Sequence, residues 1–118
     1  MSIAADELGR DTAPDRALLA EALSVPVERR DGRDVYPGIV PKAAALLLAI
    51  LRLRPYERGN ARVALLATTV FLNRNGLDLQ ADDDELVALV AVAAAGELNV
   101  LQVASGLERH TVRLTDPA

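Results

Sequence analysis

Two apolar stretches of helix-forming residues, 42–53 and 60–73, are separated by one short loop that contains Pro55 and Gly59. This arrangement constrains the chain more than any other feature. Proline and glycine each interrupt a helix, so the two stretches must be separate helices joined closely. The first is apolar on most faces and is expected to be buried. The second carries Val63, Leu65, Leu66, Val70, Phe71 and Leu72 almost all round, a pattern expected of a central helix packed on several sides. The longest apolar runs, 43–51 and 86–95, fall far short of the ~20 residues needed to span a bilayer. They read as buried helices, and no membrane partner is expected.

The rest of the chain is consistent with an all-α bundle. Pro14 or Asp15 opens a short helix with Leu18, Leu19, Ala22 and Leu23 on one face, and Pro26 ends it. Val27 and Val35-Tyr36 flank Arg30-Asp31-Gly32-Arg33. Asp-Gly is a hairpin-turn signal, and a small β-hairpin or an irregular polar loop fits this stretch equally. Pro41 suits a first helical position. Asn75-Gly76 makes a left-handed stop after the second apolar helix. Asp82 and Glu85 have capping-box spacing ahead of a helix ended by Gly96, and Asn99 and Gln102 open a last helix that runs to about His110. The acids at 82–85 oppose a helix dipole and need no metal to explain them. The expected organisation is a loosely ordered N-terminus over 1–14, one domain of about five helices over 15–110, and a tail over 111–118.

Composition narrows the function. A chain of 118 residues holds one compact domain, and about half of it is apolar. With no cysteine there is no thiol nucleophile, disulfide or zinc-thiolate site. The net charge of −4 and only three aromatics (Tyr36, Tyr56, Phe71) argue against a nucleic-acid partner. Asp6 and Glu7 stand where a secretory signal would be basic, so a cytoplasmic location is expected. Twelve of the thirteen basic residues are arginine, which reads as coding bias rather than function.

The loop between the apolar helices carries the chemistry. A glycine before a helix N-terminus makes an anion site, because Gly59 permits close approach and the first N–H groups of the helix point outward. Asn60 offers a further donor, and Arg62, one turn in, presents a planar fork to phosphate oxygens. A Gly-Asn cap with a solvated arginine accounts for the same residues, and the spacing alone leaves both readings open.

Residues 54–62 read Arg-Pro-Tyr-Glu-Arg-Gly-Asn-Ala-Arg. They resemble the Fic/Doc signature, His-Pro-Phe-x-Asp/Glu-Gly-Asn-x-Arg. The resemblance continues through Leu18 to Leu23, Asp34-Val35-Tyr36-Pro37, Phe71 to Gly76 and Ala95-Gly96-Glu97, covering residues 15–110. It is nearest to small Doc-type toxins, although the helix that usually precedes Leu18 is short or missing. The resemblance implies a helical bundle with a hairpin flap that aligns a target strand. It implies transfer of AMP or phosphate from ATP with Mg²⁺ to a protein hydroxyl, with elongation factor Tu as the target of Doc-type toxins. It also implies a small antitoxin partner.

Pro55 matches the pattern, Tyr56 replaces phenylalanine, and Gly59, Asn60 and Arg62 match as the phosphate- or nucleotide-binding half. Arg54 stands at the catalytic histidine and Arg58 at the metal-binding acid. A guanidinium stays protonated and cannot act as a base. Loss of a general base typically costs ~10²–10⁴-fold in rate. A cation at position 58 also opposes Mg²⁺, so ATP and Mg²⁺ are cofactors only if the site is active. Glu57 lies one position off, and His110, the only histidine, sits near a helix end where a cation is favourable. Arg54, Arg58 and Arg62, with Arg52 nearby, are expected to converge on the loop. Three readings remain: a toxin-like protein with a degenerate, inactive transfer site, an active transferase with a non-standard base, and a non-enzymatic anion- or nucleotide-binding module.

Overall fold

The computed structural model describes residues 13–114. Nearly all of the expected N-terminal segment, and the last part of the expected tail, lie outside the described residues. Helix α1 (Arg16–Ser24) begins where Asp15 accepts hydrogen bonds from the N–H groups of Ala17 and Leu18, at 3.0 and 3.1 Å. A 3₁₀ turn (Val25–Val27) follows and buries Pro26.

The polar stretch after it forms a hairpin. Strands β1 (Arg29–Arg30) and β2 (Arg33–Asp34) pair antiparallel through a turn in which both Asp31 and Gly32 have positive φ, 53° and 76°. Two positive φ values match the twist of a tight hairpin, which is why Asp-Gly serves here. Lys42 clasps this hairpin to the next helix. Its Nζ donates to Asp34 Oδ2 at 3.0 Å and to the Tyr36 carbonyl at 2.6 Å. The hydrogen bond and the charge of Lys42 hold the Asp34 carboxyl below the usual carboxylate range, and Arg29 adds to the effect.

Helix α2 (Ile39–Leu53) starts earlier than the sequence suggests, placing Pro41 third rather than first. The ring is accommodated because the first N–H groups of a helix have no partner within it. Residues 43–51 are buried without a break. The elements α1, α3 (Asn60–Arg74), α4 (Asp83–Ala94), α5 (Val100–Glu108) and the 3₁₀ turn all pack against α2, which makes it the axis of the bundle.

Helix α3 (Asn60–Arg74) corrects an expectation. It is not the central helix. Only Asn60, Ala64, Thr68 and Leu72 are buried, a single stripe at a spacing of four residues, while Leu66 is 63% exposed. The apolar content of α3 suggested neighbours on several sides, but the described fold supplies chiefly α2, with lesser contact from α4 and from the strand Leu77–Leu79.

Strand β3 (Leu77–Leu79) pairs antiparallel with β4 (Thr111–Arg113), so residues 111–113 are structured where the sequence pattern suggested a tail. Between the strands lie α4 (Asp83–Ala94) and α5 (Val100–Glu108), each with the capping box read from sequence. The chain is thus mostly helical, with five helices and two small antiparallel pairs among the described residues. No described helix is long and apolar enough to cross a membrane.

Candidate functional site

The loop of residues 54–59 is shaped by its two ends. At the first, Arg54 closes α2 in the left-handed conformation (φ 49°, ψ 61°), with its N–H donating to the Ile50 carbonyl. Left-handed backbone is unfavourable for a side chain with a Cβ, and the sequence has arginine where glycine would be usual. At the second end Gly59 takes φ 83°, the same region without that cost.

Between them the chain is pinned at three points. Pro55 is buried, and its carbonyl accepts a hydrogen bond from the Asp15 N–H at 2.6 Å, tying the loop to the head of α1. Asn60 is 3% exposed and forms a reciprocal pair with Tyr56: the Tyr56 N–H donates to Asn60 Oδ1 at 3.0 Å, and Asn60 Nδ2 donates to the Tyr56 carbonyl at 2.8 Å. This staple folds the loop back onto the start of α3. It also occupies the carbonyl oxygen of the side chain and one of its two N–H donors, so Asn60 serves chiefly to shape the loop. The residue type is equally suited to holding a ligand or holding a loop, and sequence spacing does not separate the two.

The start of α3 has no side-chain cap. The N–H groups of Asn60, Ala61 and Arg62 precede the first carbonyl that the helix itself can offer, while the Val63 N–H reaches the Gly59 carbonyl at 3.0 Å. These backbone donors, the positive end of the helix dipole and the open face of Gly59 form a frame suited to a phosphate group. Around it Arg54, Glu57, Arg58 and Arg62 are all exposed. Neither Arg54 nor Arg58 makes an ion pair among the described residues. Arg62 borders an apolar cleft of about 350 Å³ formed with Leu65 on α3 and Val87, Val90 and Ala94 on α4. Arg52 borders a different cleft, between α2 and the turn after α4, which also includes Ala94. Arg52 and Arg62 thus flank the C-terminal end of α4 from two sides.

The remaining candidate lies elsewhere. His110 Nε2 is 3.8 Å from Glu85 Oε2, an ion pair when the imidazole is protonated. Both residues line a cleft between α4 and α5 that includes no residue of the 54–62 loop. The histidine is therefore not brought to the loop as a substitute base. Position 58 presents a guanidinium, and among the described residues no three His, Cys, Asp or Glu side chains are grouped so as to hold a metal ion between them. Sequence reasoning missed the tie from Asp15 to Pro55. Its signal was present, since Asp15 reads as a helix cap, but a backbone contact across forty residues of chain leaves no pattern.

Comparison with known proteins follows the same path. The chain is 41% identical to the protein named Toxin Doc of Mycolicibacterium smegmatis over 70 residues, 59% of this chain and 54% of that protein. It is 34% identical to the protein named Protein kinase doc of Escherichia phage P1 over 90 residues, 76% of this chain and 71% of that protein. The match thus spans about half the length of the mycobacterial relative. No family model and no solved structure matches the chain.

Proposed function

We propose that this chain, which belongs to the Doc family of toxins, is the toxin-like member of a toxin–antitoxin pair whose transfer site keeps its phosphate-holding frame and has lost the groups that perform the chemistry. The observation that carries this reading is the state of Arg54 and Arg58. Both are exposed guanidinium groups, with no ion pair among the described residues, at the loop positions where the family motif has a base and a metal-binding acid. A protein hydroxyl attacking a phosphoryl group must give up its proton. Arg54 cannot take it at neutral pH, and Arg58 repels the metal that would offset the phosphate charge. What remains is recognition: backbone N–H donors at the start of α3, with Arg62 one turn in, binding a phosphate or nucleotide without turning it over.

In this reading the protein acts in the cytoplasm and is bound by a small antitoxin. The hairpin flap and a translation-factor target belong to the same inheritance. A second reading has its own support. A helix start without a side-chain cap, beside two arginines that make no ion pair among the described residues, suits a non-enzymatic anion- or nucleotide-binding module.

The deciding experiment incubates the protein with Mg²⁺, α- or γ-labelled ATP and cell lysate. The expected outcome is no labelled protein above background, with nucleotide binding retained. Label on a protein of elongation-factor size that vanishes in Gly59→Val would overturn the inactive reading. Restoring the motif with Arg54→His and Arg58→Asp should bring transfer or growth arrest back. A folded but inert double variant would mean that the loss extends beyond these two positions.

A further inference from the structure

The β3–β4 sheet has one covered edge and one open edge. The Gln80 N–H donates to the His110 carbonyl at 2.6 Å, and the Leu114 N–H to the Gly76 carbonyl at 2.8 Å. With Asp78 opposite Val112, these bonds mean that residues 110, 112 and 114 turn their backbone groups toward β3. The N–H and carbonyl groups of Leu77, Leu79, Thr111 and Arg113 therefore point away from the pair. On the β3 side Asn73 of α3 covers the row. With its amide turned so that Nδ2 faces the acceptors, it donates to the Leu77 carbonyl at 2.8 Å. On the β4 side no hydrogen bond among the described residues reaches the backbone of Thr111 or Arg113, and β3 is the chief element packed against β4. An open row of this kind is a template for another strand. The side chains add a second feature. The Thr111 hydroxyl donates to the Leu107 carbonyl on α5, so alternation sets Val112 and Leu114 on the opposite face, where they are 42% and 50% exposed.

We propose that two copies of the chain pair edge to edge through β4, antiparallel, about a two-fold axis at Val112. The edge is self-complementary in this register. Thr111 of each copy stands opposite Arg113 of the other, and these are the residues whose backbone groups point outward, so each opposed pair exchanges both of its hydrogen bonds. Val112 meets its own counterpart in a non-hydrogen-bonded pair, with Cα atoms about 4.5 Å apart. Leu114 falls opposite His110 on the same face. Apolar side chains exposed in one copy thus cover those of the other, and no like charges are opposed. The β1–β2 hairpin lacks this property, because pairing β1 with a second β1 sets Arg29 against Arg30. Growth stops at two copies, since Asn73 covers both ends of the combined sheet. A contact through residues 110–114 is far smaller than the ~20–30 residues a side of a stable interface, so the dimer is weak and forms at high concentration.

The chain has no cysteine, so a single introduced thiol reports on one position. Under mild oxidation the full chain carrying Val112→Cys should form a covalent dimer, because a Cα separation of about 4.5 Å lies within disulfide reach. Leu114→Cys, on the same face and no less exposed, should cross-link roughly tenfold more slowly or not at all, since the two-fold axis sets its two copies about 14 Å apart. In the unaltered chain, hydrogen exchange at the Thr111 and Arg113 amides should slow as protein concentration rises, while exchange at the Val112 amide, already bonded to β3, stays the same. A Val112→Cys chain that remains monomeric would overturn the proposal. Equal cross-linking at 112 and 114 would show random collision, and faster cross-linking at 114 a different register; either result overturns it. So would exchange at Thr111 and Arg113 that is fast at every concentration. Exchange that is slow even at high dilution would show the edge covered within a single copy, and would overturn pairing between copies.

Discussion

Helices α2 and α3 are equally long and both rich in apolar residues, yet they meet opposite fates. Residues 43–51 of α2 are buried without a break, whereas α3 buries four residues at a spacing of four and exposes Leu66 and Val70. The difference teaches that apolar content sets how much surface a helix can bury, while position in the bundle sets how much it does bury. Helix α2 is covered by every other helix, and α3 has α2 on one side and an open groove on another.

The largest test of this contrast removes one leucine from each helix. Leu47 is fully buried, so Leu47→Ala should cost about 2–5 kcal/mol in urea unfolding, transfer and cavity terms together. Leu66→Ala should cost no more than about 0.5 kcal/mol, as exposed substitutions usually do. If the two costs were equal, the exposed face of α3 would be covered in solution, and the contrast would fail.

The ends of the helices offer smaller effects. Asn60→Ala removes the staple and leaves the Tyr56 N–H and carbonyl without their partners. A destabilisation of about 1–3 kcal/mol is expected, together with faster hydrogen exchange at the Tyr56 amide. Unchanged exchange there would mean that Pro55 and its bond to Asp15 hold the loop alone. Least is expected at the end of α2, where Arg54→Gly relieves left-handed backbone and should stabilise by about 1 kcal/mol at most. Destabilisation instead would show that the Arg54 side chain holds a partner in solution, and would weaken the reading of that arginine as unpaired.

The helices were legible in the sequence because three signals coincide there. Asp15, the Asp82–Glu85 box and the Asn99–Gln102 box mark starts, Gly76 and Gly96 mark stops, and the apolar positions between them repeat with helical spacing. The β3–β4 pair was not legible, since strands of three residues are too short to show alternation and Thr111 pairs with Leu79 across two helices. The exposure of α3 was missed for a different reason. Leu66 and Val70 look like core residues in any list, and only the placement of α1 on α2 leaves them open. At the loop, the positions of Gly59 and Arg62 followed from type and spacing. The involvement of Asn60 with Tyr56 did not, because an amide side chain serves a backbone and a phosphate with the same atoms.

The Asn60 staple has a consequence for how such a loop changes over generations. Its contour is set by Pro55, the Tyr56 backbone, Gly59 and Asn60, and by a backbone bond to Asp15. The side chains at 54, 57 and 58 project outward and support none of it. Shape and reactivity are therefore carried by different positions in one short peptide. A lineage can exchange one reactive group for another, or discard it, while every intermediate still folds. Such a loop works as an interchangeable socket, and selection can refit it one residue at a time.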